Sequence, residues 1–325
     1  MILNKNVIND QGAFFITAKD DDYGKRLDLF ISENIDSCHR TQASGLIKNQ
    51  HVFVNSTIKK TAYKIKPGDC ISGHIPPVEP ITFKPEKIPL NILFEDKDII
   101  IINKQPGIVV HPAPGNWSGT LVNGLLFHCP DIQSGNEENR PGIVHRLDKN
   151  TSGVMVVAKN RKSLFKLSES FQSREVKKEY LAIVHGVLKI EKGIIDLPVG
   201  RHPIERKKMS TISPKGKYAE THFKVEKRFL DSTLLRCVIK TGRTHQIRVH
   251  CQSMGHPIVG DDVYTNRRGN HNKISSISRQ MLHSSFLEFN HPVTLEPLTF
   301  VAPMPEDMLE LIRKLECLLQ SHATK

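Results

Sequence analysis

The chain has 325 residues, 38% hydrophobic and 25% charged, the balance of a soluble globular protein large enough for two domains or one large domain with an appendage. Its net charge of +12, from 46 Lys and Arg against 34 Asp and Glu, points to a polyanionic partner, because a positive surface attracts phosphates and releases their counterions. Apolar runs are strand-sized, far below the ~18 residues of a membrane span, and no secretory pattern opens the chain, so a cytoplasmic protein without a membrane partner is expected.

Residues 1–24 read as a short leader or edge strand. Residues 25–80 read as a separate unit. Leu27, Phe30 and Ile31 share one helical face, and Ser37 is placed to cap a second helix through Gln42, Leu46 and Ile47. Residues 51–55 predict a strand, Asn55-Ser56 a turn, 58–65 a second extended piece, and Pro67-Gly68-Asp69 a turn before a further strand. Two helices, then a small basic sheet with Val-x-Val-Asn and Lys-Pro-Gly-Asp, resemble an S4 RNA-binding domain. The resemblance implies that Arg26, Arg40, Lys48, Lys59 and Lys60 meet RNA phosphates. Pro76, Pro77, Pro80, Pro85 and Pro89 deny helix and central strand, so residues 81–89 are taken as a linker.

The second domain, 90–325, opens with a predicted hairpin over 90–104 and a helix over 120–128. Residues 131–139 are polar and loop-like. Asn160 is placed to cap a helix carrying Leu164, Leu167 and Phe171, followed by a strand over 177–187, a basic hairpin arm over 201–217 and an amphipathic helix over 306–319. Six cysteines form no Cys-x-x-Cys pair and sixteen histidines no His-Glu-x-x-His, so neither a disulfide framework nor a metal or other cofactor is expected.

Three blocks carry candidate chemistry. In residues 142–159 an extended segment, a turn of Asn150, Thr151, Ser152 and Gly153, and an apolar strand bracket His145-Arg146-Leu147-Asp148. Asp148 can therefore leave a rigid sheet and face a cleft. An Arg and an Asp two apart also form structural ion pairs, so the block gains weight only with its partners. In Lys178-Glu179-Tyr180, Tyr180 shares a strand face with Ala182 and Val184, a flat wall on which a base can stack. In Thr241-Gly242-Arg243-Thr244-His245-Gln246, a strand, a Gly turn and a helix start capped by Thr244 aim Arg243 at an anion: Asp148, an RNA phosphate, or both. His245, Arg248 and His250 are read as structural hydrogen-bonders in preference to phosphate contacts.

These blocks, with Lys104-Gln-Pro-Gly, His111-Pro-Ala-Pro-Gly-Asn, Arg201-His-Pro and Arg279-Gln-Met-Leu-His, resemble the pseudouridine synthases that carry a His-Arg-Leu-Asp motif. The resemblance covers nearly the whole chain and is strongest to the D-type group, with the C-type relatives sharing its architecture. It implies an α+β fold whose catalytic domain has a mixed, mainly antiparallel sheet flanked by helices. It implies Asp148 as the catalytic carboxylate, nucleophile or base, with Tyr180 under the uracil, Arg243 paired to Asp148 and Arg146 filling the stack vacated by a flipped base. The implied partner is large-subunit ribosomal RNA or a pre-ribosomal particle, met by a monomer. Two rivals are a non-catalytic RNA-binding or ribosome-assembly protein, and a glycoside hydrolase, which would need a second placed carboxylate.

Overall fold

The computed structural model describes residues 12–36, 38–76, 84–112, 116–132, 141–205, 208–265 and 277–323. The chain divides into two compact units, Met1–Ile81 and Thr82–Lys325.

The first unit holds strands β1 (Ala13–Thr17), β2 (Val52–Val54) and β3 (Cys70–His74) in the order β1-β3-β2, with helices α1 (Leu27–Asn34) and α2 (Arg40–Lys48). Residues 13–17 are thus an edge strand of this sheet, paired from Ala13 with His74 to Thr17 with Cys70. Leu27, Phe30 and Ile31 are fully buried, as their one-face spacing requires, and pack with Ile47, Val52, Val54 and Ile71. Ser37 lies outside the described residues, and α2 starts after His39, which makes no side-chain cap bond. Of residues 58–65, expected as an extended piece, Lys64 pairs with Arg26 in a single antiparallel bridge and 61–62 turn. Carbonyls of this segment are drawn to the open end of α1: Leu27 N–H donates to Tyr63 O at 2.9 Å and Asp28 N–H to Thr61 O at 3.3 Å.

The second unit is built on a nine-stranded sheet in the order β4-β5-β6-β13-β7-β12-β11-β8, with β14 paired to β13. Its strands are β4 (Ile92–Glu95), β5 (Ile99–Lys104), β6 (Ser152–Ala158), β7 (Lys177–His185), β8 (Lys192–Asp196), β11 (Glu220–Arg228), β12 (Ser232–Ile239), β13 (Leu282–Asn290) and β14 (Pro297–Val301). Among the described strands only the β13–β6 pair is parallel, so the sheet is mixed and mainly antiparallel, as expected. The short strands β9 (Gly200–Arg201) and β10 (Met209–Ser210) pair as the expected hairpin arm.

Central strands β5 and β6 are buried on both faces. Ile99, Ile101, Val154 and Val156 meet Leu164 and Leu167 of α4 (Arg161–Ser173). Ile100, Ile102, Met155 and Val157 join Leu121 and Leu125 of α3 (Leu121–His128) and Met308, Leu311 and Leu315 of α6 (Glu306–Ala323). Each such side chain contributes ~1.5–3 kcal/mol when fully removed from water. Asn160 caps α4 by accepting from Ser163 N–H at 2.9 Å. Ahead of β6, Gly142 has φ +67°, and a Cβ there would lie 2.3 Å from Ala158 O, so only glycine lets the 142–148 segment run this close to the sheet. The polar loop from 133 onward and residues 81–83 of the expected linker 81–89 lie outside the described residues; residues 84–89 form no helix or strand, and Glu86 N–H donates to Asn123 O of α3 at 3.0 Å.

Candidate active site

Asp148 sits in the turn between the Gly142 segment and β6, anchored by buried Leu147. Distant groups clamp this turn through its backbone. The buried Lys104 ammonium, at the end of β5, donates to Lys149 O at 3.0 Å, and also to Gln105 O and Ile108 O at 2.8 and 3.1 Å. Burial pushes Lys104 down to about 7, against the pull of Asp148. Arg279 Nη1 donates to Asn150 O at 3.1 Å, while its Nη2 holds Asp307 of α6 at 2.7 Å. Gln280 Nε2 donates to Thr151 Oγ1 at 3.2 Å. Spacing along the chain does not reveal these clamps; for Arg279 and Gln280 the resembling motif alone marked the segment.

The cation that meets Asp148 is Arg248, not Arg243. Arg248 Nη1 donates to Asp148 Oδ2 at 2.9 Å. Its Nε and Nη2 grip Asp261 at 2.7 and 2.9 Å, a two-pronged contact that fixes the guanidinium plane. The reason lies in where α5 (Gln246–Ser253) begins. Thr244 does not cap it; His245 holds that position with a left-handed φ of 56°. Gln246 seals the turn instead: its Oε1 accepts from Thr241 Oγ1 at 2.7 Å and Arg243 N at 3.0 Å, and its Nε2 donates to Glu220 O at 3.0 Å. This start turns Arg248 to the buried side of the helix. Arg243 stays on the preceding turn, where its Nε donates to Tyr218 O at 3.0 Å and its side chain lines the cavity rim.

His245 Nε2 lies 3.8 Å from Asp148 Oδ2, and its Nδ1 is 2.8 Å from the Tyr264 hydroxyl. That hydroxyl also accepts from Met209 N–H of β10 at 2.8 Å. Burial pushes His245 down, which keeps it neutral. Tyr264 thereby ties the hairpin arm to the Asp148 site.

A cavity of about 90 Å³ opens between Asp148, Tyr180, Arg146, Arg243, Ile239 and Leu282. Tyr180, on β7, is buried and pushed up to about 12 by that burial, so it is a neutral phenol wall. Arg146 is exposed and sits at the mouth. A larger chamber of about 410 Å³ adjoins it, sharing Arg146, Tyr180, Ile239 and Gly242. The site thus combines one carboxylate held by a rigid guanidinium, an aromatic wall and an exposed arginine. It can present a fixed negative charge to a planar group lying on Tyr180.

The basic residues of the first unit are placed differently from one another. Arg26 and Arg40 reach Asp28 at 2.9 and 3.4 Å, and the Arg26 hydrogen bond leads in holding that carboxyl down to about 2. Lys59 lies 5.6 Å from the Tyr63 ring centre, and Lys48 and Lys60 are exposed. Asp96 and Asp98 of the β4–β5 turn and His291, just after β13, gather ligand atoms within 4.8 Å of one another. His291 Nδ1 accepts from Thr294 N at 3.0 Å, so its Nε2 carries the proton that bonds Asp96 at 3.0 Å. That cluster reads as a hydrogen-bonded loop anchor.

Among the described residues no helix is long and apolar enough to cross a membrane. The family model of RNA pseudouridylate synthases matches residues 98–253, spanning the turn of Asp148, Tyr180 and Arg248. The chain is 44% identical to the uncharacterized RNA pseudouridine synthase YlyB of Bacillus subtilis, over 92% of this chain and 97% of that one. It is 41% identical to ribosomal large subunit pseudouridine synthase D of Nitrosomonas europaea, over 97% and 92%. Among solved structures, human RNA pseudouridylate synthase domain containing 4 superposes with a TM-score of 0.56 at 26% identity, covering 70% of this chain and 93% of its own. Matched over nearly its full length, the chain belongs to the RNA pseudouridine synthases, enzymes that isomerise uridine within RNA.

Proposed function

We propose that this synthase modifies uridines of large-subunit ribosomal RNA, with Asp148 as its catalytic residue. The observation that carries the site assignment is the Asp148 carboxylate, aimed at the cavity over Tyr180 and held there by Arg248. The reaction breaks the C1′–N1 bond, turns the base, joins C1′ to C5, and moves the C5 proton to solvent while N1 regains one. It leaves the oxidation state of the RNA unchanged. A single ionised carboxylate serves it, either attacking C1′ or removing a ribose proton, and Arg248 holds that charge in place. Tyr180 would carry the uracil face. Arg146, exposed at the mouth, would fill the gap left in the stack, since extracting a paired base costs a few kcal/mol.

The substrate reading draws support from relatives named ribosomal large subunit pseudouridine synthase D, in Nitrosomonas europaea and Neisseria meningitidis. The net charge of +12 fits an RNA partner. We take the first unit as an S4-type anchor, with Arg26, Arg40, Lys48, Lys59 and Lys60 offered to phosphates. Tritium release from C5-labelled uridine in transcribed large-subunit RNA tests the activity. Mapping pseudouridine in ribosomal RNA from cells with and without the protein tests the target: unchanged large-subunit positions with loss of a transfer RNA position would move the substrate elsewhere.

A further inference from the structure

Lys178 is a buried cation that the reaction does not use. Among the described residues four lysines and arginines are buried: Lys104, Lys178, Arg248 and Arg279. Three have oxygen partners: carbonyls for Lys104, carboxylates for Arg248, both for Arg279. Lys178 has only the Phe171 ring, 5.3 Å from its Nζ. Burial alone pulls its ammonium down, with no carboxylate of the described residues opposing it. A ring face offsets only part of the cost of taking an ammonium out of water. The free enzyme therefore holds a cation whose natural complement is missing from the described chain.

Its surroundings say what that complement is. Lys178 stands two residues before Tyr180 on β7, hence on the same face of the strand. Both line the 410 Å³ chamber beside the Asp148 cavity. The chamber's polar lining includes Lys178, Arg146, Ser168 and Gln172, and among the described residues it contains no carboxylate. His145, stacked on Phe171 at 4.6 Å, accepts Val156 N–H at 3.1 Å and is neutral, so it adds no rival charge. The two cavities meet at Gly242, where a Cβ would find nothing within 4 Å, so the passage is open.

Resting on the reading that a uridine of RNA enters the Asp148 cavity, we infer that the adjoining chamber receives the neighbouring nucleotide and that Lys178 binds its phosphodiester. A phosphate supplies the anionic acceptor the ammonium lacks, and the chamber exceeds the 90 Å³ cavity several-fold, room for a nucleotide beside a base. Lys178 would then set how the flanking RNA enters, and contribute to affinity more than to the chemical step.

The test uses the full-length protein. Lys178→Met keeps an apolar stem against Phe171 and removes the charge; Lys178→Arg keeps the charge. On transcribed large-subunit RNA, Lys178→Met should raise KM by about tenfold or more with kcat nearly unchanged, and Lys178→Arg should recover most of it. In filter binding, on an Asp148→Asn background so that no turnover occurs, Lys178→Met should flatten the log–log salt slope by about 0.7–0.9, one phosphate contact. Gln172→Glu, on the exposed side of α4, gives a second approach that leaves Lys178 intact: a carboxylate in the chamber should weaken binding in the wild-type background and much less with Lys178→Met. Unchanged KM and slope in Lys178→Met, or equal effects of Gln172→Glu in both backgrounds, would overturn the inference. If inorganic phosphate raises the melting temperature through Lys178 while the RNA slope stays fixed, the chamber takes a free anion and the RNA assignment falls. A flattened slope with no turnover by the wild type would instead remove the proposed activity and leave the phosphate contact standing.

Discussion

Replacing Arg248 by Met should separate the two arginines of the Thr241–Arg248 segment. Arg248 is nearly buried, its side chain 5% exposed, and joins two carboxylates, one of them fully buried. Removing it leaves Asp261 without its counter-charge, although Asp261 Oδ1 still accepts Val263 N–H at 3.0 Å and Tyr264 N–H at 3.1 Å. Breaking a buried pair from one side costs about 3–5 kcal/mol of stability. Asp148 also loses a charge-assisted hydrogen bond of about 1.5–3 kcal/mol, which lowers turnover about 10- to 200-fold if the full bond persists into the transition state. Arg248→Lys should recover little, because one ammonium cannot reproduce the fork to Asp261 and the third bond to Asp148. Arg243→Met loses one bond to a backbone carbonyl at the rim, so it should cost under about 1.5 kcal/mol of stability and act chiefly on KM. Urea unfolding and steady-state tritium release on both variants decide the matter. An Arg248→Met protein with near-wild-type stability and kcat, beside an Arg243→Met protein that has lost its kcat, would refute the pairing described here.

Asp148→Asn should fold, bind RNA and fail to turn over; measurable isomerisation in the folded variant removes Asp148 from its role. Lys104 has a folded pKa of about 7 against 10.5 in the unfolded chain, so between those values the unfolded chain holds more protons and stability rises with pH. Relative to Lys104→Met, the wild type should gain at most ~5 kcal/mol across that window, less as the three carbonyls favour the ammonium; a flat difference in urea-derived stability from pH 7 to 10 contradicts the burial argument. Tyr264→Phe removes the hydroxyl between Met209 N–H and His245, and should lower kcat modestly while loosening the arm, read as faster amide exchange at Met209; unaltered exchange and kcat would show the link to be idle. Removing residues 1–81 should raise KM and flatten the salt slope by about 0.7–0.9 per lost phosphate contact while leaving turnover at saturation; an unchanged slope means the first unit is not an RNA anchor for that substrate.

Local chemistry alone placed much of this molecule. The isoleucine run of β5, the apolar stretch of β6, Asn160 before α4 and the one-face spacing of Leu27, Phe30 and Ile31 each fix an element through contacts a few residues apart. Asp148 between two apolar runs, and Tyr180 on a strand face, were legible for the same reason, and so was the combination of motifs that marks the family. What local chemistry left undecided was which side chains meet. Asp148 and Arg248 are 100 residues apart, and Arg279 reaches Asn150 across 129. Arg243 and Arg248 look alike in the sequence; the left-handed His245 and the bonds of Gln246 set the helix start, and that start turns only Arg248 inward. Residues 58–65 read as extended, but that Lys64 bridges Arg26, and that Tyr63 O and Thr61 O meet the first N–H groups of α1, is visible only once the chain has folded back. Lys178 carries the same lesson: a lysine is charged in any sequence, and only packing leaves this one buried against a ring, beside the cleft, with no anion of the described chain to meet it.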